Sequence, residues 1–299
     1  MSRRSVNLTG ARWVAVAGVA ALTIIVVVLA SLALQRSRGE TAAQPNPVPS
    51  FTLGVTTPTP TPTPEAPSPA PPASRADERF LTTGSAVWWR GVAGQCGVTE
   101  PLIERSDDGG ATWTDVTPRY LGVGQVMAMS AFTAADAEMV AAVGPDCEVQ
   151  ALRTYTDGQF WEPYPEVLAA SRYLDAVDPG VVIVAGEPLP APCPVPTGLR
   201  ASGDVVALIC DGTPHRWIDG SWQPIEVAGA TALAATPPSL LIAHTDAACP
   251  GLAITEVADT TALMGCLPET DPAAPLAITR DGEAIRAWSG DSVSEVAAL

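Results

Sequence analysis

Residues 105–113 read Arg-Ser-Asp-Asp-Gly-Gly-Ala-Thr-Trp, and they constrain the fold more than any other stretch of the chain. Ser and Asp side chains bond nearby backbone amides, Gly admits positive φ, and Trp carries enough apolar surface to anchor a turn in a sheet. Together they specify a hairpin turn between two strands. Residues 153–161, Arg-Thr-Tyr-Thr-Asp-Gly-Gln-Phe-Trp, align with the first set without gaps. They keep the Arg, a hydroxyl residue, one Gly and the Trp, with Thr156 where the first set has Asp108 and an Asp one residue later. Asp219-Gly220-Ser221-Trp222 is a shorter remnant, and Asp281-Gly282 followed by Trp288 is fainter. A turn that recurs in this way marks a repeated supersecondary unit.

Ser106-x-Asp108-x-Gly110-x-Thr112-Trp113 resembles the Asp-box of BNR-repeat proteins, the sialidase-like β-propellers within the wider WD40-YVTN-BNR-like group. Thr154, Gly158 and Trp161 form a degenerate copy. The resemblance implies an all-β propeller in which the box is structural and distant from the binding face; it implies no particular reaction. The successive Trp residues lie 48, 61 and 66 positions apart. A period in the forties suits one four-stranded blade, and the longer intervals imply insertions or an extra blade. At ~45 residues per blade, residues 80–299 hold about five blades, with four or six left open.

Composition divides the chain into three zones. Residues 1–12 are short and basic, and 13–34 carry no charge and are rich in Ala, Val, Leu and Ile. At ~1.5 Å per residue such a run crosses a bilayer core of roughly 30 Å. A transmembrane helix is therefore expected at 13–34. The alternative is a cleaved leader, for which Ser31-Leu32-Ala33 is a poor site inside the apolar run. Residues 35–78 contain Thr-Pro repeats (57–64) and a second Pro-rich run at 67–72. Pro removes donors and few large apolar groups are present, so this segment reads as an extended stalk or, alternatively, a Pro-rich recognition site. Residues 79–299 are large enough for a full core. Their short apolar runs at 86–89, 137–143, 180–184, 204–209, 239–242 and 261–264 are bounded by Gly, Pro or Asp and read as buried strands. Nothing shows a sustained helical period, although the Ala-rich piece at 167–171 is compatible with one turn of helix.

All six cysteines follow the apolar run, an even count that reads as a disulfide set outside a membrane. The amino terminus is then cytoplasmic and the remainder extracytoplasmic, a single-pass arrangement at a cell membrane. An Arg-only, Ala-rich composition fits a GC-rich bacterial genome, hence a bacterial cell envelope. Cys193-Pro194 to Cys210 and Cys249-Pro250 to Cys266 span equal intervals of 17, each able to hold a strand, a turn and a returning strand. That geometry favours Cys193–Cys210 and Cys249–Cys266 among the fifteen formal pairings. In a propeller, equivalent loops of neighbouring blades are close, which leaves Cys96–Cys147 as the third pair. No CxxC occurs and only two His are present, so no metal site and no cofactor is expected.

From residue 76 on the chain has 10 Arg and no Lys against 30 Asp and Glu. Nucleic acid is a poor partner for such a surface. No GxSxG or HExxH occurs, and the Arg-containing opening of sialidase catalytic domains is not recognisable. Catalytic residues are therefore not assigned. Trp88-Trp89 lies on a strand that points its two rings to opposite faces, so one is core and the other is available for stacking on a ligand; core packing of both is the plainer reading. The expected function is a membrane-tethered binding or scaffolding module for a protein, peptide or glycan, with an envelope glycan hydrolase as the alternative.

Overall fold

The computed structural model describes residues 75–298. The span expected at 13–34 and nearly all of the stalk expected at 35–78 lie outside them. Among the described residues no helix is long and apolar enough to cross a membrane.

Six antiparallel sheets follow one another along the chain. Blade 1 comprises β1 (Arg79–Thr83), β2 (Trp88–Val92), β3 (Leu102–Ser106) and β4 (Thr114–Asp115). Blade 2 comprises β5 (Val123–Ala131), β6 (Ala137–Val143), β7 (Glu148–Thr154) and β8 (Glu162–Pro163). After the helix α1 (Pro165–Ala170), blade 3 has β9 (Arg172–Leu174), β10 (Val181–Val184) and β11 (Glu187–Pro190). Blade 4 is β12 (Thr197–Ser202), β13 (Val205–Cys210), β14 (Thr213–Ile218) and β15 (Ser221–Pro224). Blade 5 is β16 (Ala230–Thr236), β17 (Ser239–Asp246), β18 (Cys249–Val257) and β19 (Thr261–Pro268). Blade 6 is β20 (Leu276–Asp281), β21 (Ala284–Ser289) and β22 (Ser292–Glu295). The inner strands β1, β5, β9, β12, β16 and β20 touch in that order, and β20 returns to β1. The fold is a closed six-bladed β-propeller.

The expected count of about five blades is corrected to six, within the range left open. Blades 3 and 4 occupy only 172–190 and 197–224, far less than the ~45 residues a typical blade takes. The longer Trp spacing after Trp161 thus conceals a whole compact blade.

The apolar runs fall on β2, β6, β10, β13, β17 and β19, strands with a neighbour on each side in their sheet. β6, β13 and β17 are covered on both faces by adjacent blades, so their sequences are apolar nearly throughout, and β13, Val-Val-Ala-Leu-Ile-Cys, is buried at every position. The run at 261–264 is a strand but not a buried one, a correction: Thr261, Ala262 and Leu263 are exposed, since β19 lies towards the outer edge of its blade. Packing between blades then supplies the core. Phe80, Trp89 and Ile103 of blade 1 meet Val126, Met139 and Trp161 around blade 2, and Leu241, Leu252 and Ile254 of blade 5 meet Ile278 and Ile285 of blade 6.

Two blades depart from four strands. In blade 6, β22 continues through Val296 into β23 (Ala297–Ala298), which pairs with β19 of blade 5 at Cys266↔Ala297 and Gly265↔Ala298. The end of the chain therefore joins blades 5 and 6. In blade 3, Arg172 at the start of β9 shares a cavity with Ala131 at the far end of β5 and with Ala201 and Ser202 at the far end of β12. Asp175, just past the end of β9, instead accepts Arg75 Nη2 on its carbonyl at 3.0 Å, and Arg75 belongs to the segment that leads into β1. Thus β9 runs opposite to β1, β5 and β12. Its sheet supplies the second, third and fourth strands of a blade, and α1 stands in the chain where a first strand belongs.

The structure pairs Cys96 with Cys147, Cys193 with Cys210 and Cys249 with Cys266, and no described cysteine is free. Cys96–Cys147 ties the second-to-third-strand loops of blades 1 and 2. The two 17-residue intervals do not mark a structural repeat. One encloses the first two strands of blade 4, and the other joins the third and fourth strands of blade 5.

Candidate functional site

The first box turns between β3 and β4 through side-chain bonds that replace a strand ladder. Ser106 Oγ donates to Asp108 Oδ1 at 2.7 Å and accepts the Gly110 N–H at 2.8 Å. Asp108 accepts both the N–H (2.9 Å) and the hydroxyl (2.6 Å) of Thr112, and Trp113 Nε1 donates to the Gly110 carbonyl at 3.0 Å. The Thr112 hydroxyl, then its amide and Ser106, hold the Asp108 carboxyl down at about 2.

The degenerate box between β7 and β8 has the same plan. Thr154 Oγ1 accepts the Gly158 N–H at 3.0 Å, and Trp161 Nε1 donates to the Gly158 carbonyl at 3.1 Å. Thr156 takes the place of Asp108: its hydroxyl accepts the Phe160 N–H at 2.9 Å and donates to the Phe160 carbonyl at 3.2 Å. Arg105 of the first box reaches Asp157 of the second at 3.1 Å. Asp219-Gly220 forms the equivalent turn in blade 4, both residues at positive φ, between β14 and β15. Asp281-Gly282 does not correspond. It turns β20 into β21, and Trp288 lies on the second strand of its blade, not after a third-to-fourth turn.

Neither Trp of the Trp88-Trp89 pair is free for a ligand in the way the alternation suggested. Trp89 is 0% exposed and meets Trp161 edge-on at 5.9 Å, so its use as a stacking surface is corrected to core packing between blades 1 and 2. Trp88 is half-buried, lying over Gly110 of the box with the Arg286 guanidinium 5.3 Å from its ring. The alternation itself is real; the second face is covered by a neighbouring blade.

The inner strands enclose a cavity of about 660 Å³. It opens where the first strands end, beside Thr82, Ala131, Ser202 and Thr279. An antiparallel meander puts its third-to-fourth turns at that same end, so the cavity lies on the Asp-box side, where the resemblance implies structure and not binding. Its wall on blade 3 is made by α1, Ser171 and Arg172 in place of a long inner strand.

Three arginines reach this cavity, Arg153, Arg172 and Arg200. Arg153, ending β7, bonds Glu138 at 2.7 Å, and Ser130 donates to the same carboxylate at 3.2 Å. Its guanidinium sits 4.6 Å from the Phe132 ring and 5.4 Å from Tyr164. Tyr155 meets Phe132 edge-on at 5.4 Å and Tyr164 at 6.1 Å. Tyr155 is 54% exposed and Phe160, in the same turn, 64%. Blade 2 therefore presents an aromatic rim around a paired Arg at the cavity mouth. Burial works to lower the Arg153 pKa, but bonding to Glu138 and Tyr155 outweighs it and raises the value. Desolvation, helped by Tyr155, pushes the Tyr164 hydroxyl up as well. Arg200 spans to Glu78 Oε1 at 2.7 Å and to the Arg79 carbonyl at 2.6 Å. The three guanidinium groups thus do not converge on one empty point.

The sequence alone assigns no functional role to Phe132, Arg153, Tyr155, Tyr164 or Arg172. One signal was present. Tyr155 and Phe160 stand where the first box has Asp107 and Thr112, and two large rings at exposed turn positions have no folding role.

No family model matches the chain, and no curated protein matches it. Among solved structures it is similar to AofleA from Arthrobotrys oligospora, at 8% identity over 74% of this chain and 86% of that one, TM-score 0.45. It is similar to the Aleuria aurantia lectin, described as a six-bladed β-propeller, at 13% identity over 74% and 94%, TM-score 0.40. The Hadza microbial sialidase Hz136 is similar at 11% identity over 73% of this chain, TM-score 0.36, and the chain spans about half of it (52%). The blade count rests on the strand pairing above and not on these likenesses.

Proposed function

We propose that residues 79–299 form a binding module held outside a bacterial cell membrane by a helix at 13–34 and a Pro/Thr-rich stalk, and that the Asp-box end of the propeller is its ligand face. One observation carries the reading: the exposed ring of Tyr155, gathered with Phe132 and Tyr164 about Arg153, lies beside a cavity that Arg153 lines and that all six blades build. Exposed aromatic surface beside convergent polar groups is the usual anatomy of a ligand site. Three disulfides and no free described cysteine support an oxidising compartment.

A glycan hydrolase is the second reading, favoured by the presence of Arg, Tyr and Glu at one mouth. The chemistry weighs against it. A tyrosine nucleophile needs its pKa brought down, whereas Tyr164 is raised, and Glu138 is bonded to Arg153. The test is to titrate the full-length protein in detergent against neutral and acidic saccharides and short peptides, with glycoside hydrolysis assayed in parallel. Binding that falls at least tenfold in Tyr155→Ala, without turnover, is expected. Turnover abolished by Glu138→Gln would replace this reading with the second.

A further inference from the structure

We infer that the cavity takes a carboxylate-bearing saccharide and that Arg172 is the residue that receives the carboxylate. The inference rests on the binding-module reading above and names its ligand class. Of the 10 Arg from residue 76 on, nine have a carboxylate, a backbone carbonyl or an aromatic ring against the guanidinium. Arg172 is the exception among the described residues: its side chain has no such partner, and its Nε is buried without a hydrogen bond. With three acidic residues for every Arg in this part of the chain, pairing is the default. Arg153 and Arg200 in the same cavity are paired, so Arg172 carries the one cavity guanidinium with no partner, and an incoming carboxylate can meet it through two parallel N–H···O bonds.

The fold creates the vacancy beside it. Arg172 opens β9, the short strand that runs against its neighbours, and the missing long inner strand of blade 3 leaves the cavity into which Arg172 faces. At about 660 Å³ the space falls in the range of organic ligand sites and far exceeds a single inorganic anion. The remaining walls decide the class. Ser130, Ser171, Ser202 and Thr82 offer hydroxyls, and the carboxylates of Glu138 and Glu166 can accept from ligand hydroxyls. Two wall carboxylates disfavour a dianionic phosphate but suit a polyol carrying one negative group. The exposed face of Tyr155 at the rim suits a pyranose ring.

The probe is methyl galacturonoside, which carries one carboxylate, compared with the neutral methyl galactoside of the same size, titrated calorimetrically into the full-length protein at low salt. The uronide is expected to bind at least tenfold more tightly, and the preference to weaken in high salt. Arg172→Gln is expected to abolish the preference and Arg172→Lys to retain part of it. Because the Arg172 side chain bonds nothing, the melting temperature of Arg172→Gln should stay within a few degrees of the parent, which separates loss of ligand from loss of fold. An Arg172→Gln protein that still prefers the uronide overturns the assignment, as does tighter binding of inorganic phosphate or of a peptide carboxylate. Equal, Tyr155-dependent binding of both saccharides sinks this inference and leaves the binding module standing; no binding of any saccharide or peptide sinks both.

Discussion

At the scale of single residues, the two boxes perform one task with different chemistry. Asp108 accepts two bonds from Thr112 as an anion, whereas Thr156 makes the matching bonds with a neutral hydroxyl. The bonds that Asp108 makes should therefore depend on pH, and those that Thr156 makes should not. Folding holds the Asp108 carboxyl below its ordinary 3.8, at about 2, so its stabilisation is complete above the unfolded value and is lost as pH falls through the folded one. The melting-temperature gap between the parent and Asp108→Asn should be widest near neutrality and shrink between roughly pH 4 and 2; a gap that is flat with pH would refute this. Glycines separate in the same way. Gly109 and Gly158 both have positive φ, but a Cβ on Gly109 meets nothing within 4 Å, while one on Gly158 lies 2.8 Å from Val116. Gly109→Ala should cost about 1 kcal/mol and Gly158→Ala about 2–3 by urea denaturation. Turn chemistry of this kind is local, and for that reason it was legible in the residues themselves.

Elements were legible in proportion to how completely their surroundings are apolar. Interior strands such as β6 and β13 announce themselves because blades cover both faces. Inner strands such as β1, Arg-Phe-Leu-Thr-Thr, face a cavity and lack that signature. The irregularity of blade 3 was invisible. A Pro followed by a short Ala-containing run specifies one helical segment, but nothing local says that it replaces a strand, and Arg172 gains its meaning only from that replacement. The disulfides were readable as intervals and not as positions. Loop entropy ranks them: the 51-residue separation of Cys96–Cys147 is worth about 4 kcal/mol and each 17-residue separation about 3. A Cys96→Ser/Cys147→Ser variant should accordingly lose more stability than Cys193→Ser/Cys210→Ser, and the loss should register as increased amide exchange in blades 1 and 2. Equal losses spread over all blades would show that chain entropy does not govern their contribution.

For the molecule as a whole, the question is what closes the ring. Blades 5 and 6 share a strand through β23, but among the described residues no strand is shared between blades 6 and 1, the two ends of the array. That seam is held by side chains. Arg90 lies 4.2 Å from the Trp113 ring and 4.8 Å from Trp288, and Arg79 lies 4.4 Å from Trp288. Glu104 fixes Arg90 at 2.7 Å, and Arg79 and Arg90 donate to the Gly290 and Asp291 carbonyls at 2.8 and 3.2 Å. Leu81, Ala277 and Val293 complete the packing. Trp288 is thus gripped by two cations from across the closure, a role its faint turn motif did not reveal, and Trp88 is met by Arg286 from the other side. Each cation–π contact is worth about 0.5–2 kcal/mol and removal of a buried Trp about 3–5. Trp288→Ala should therefore cost about 4–6 kcal/mol by chemical denaturation. Because the adjacent seams keep their contacts, the damage should be directional: β1 and β20 amides should exchange faster while β6 and β13 remain protected. Arg90→Lys, which retains the charge but loses the planar stack, should weaken the same amides to a lesser degree. Uniform acceleration across all six blades in Trp288→Ala would instead mean that the ring opens as one cooperative unit, and that this seam is no weaker than the others.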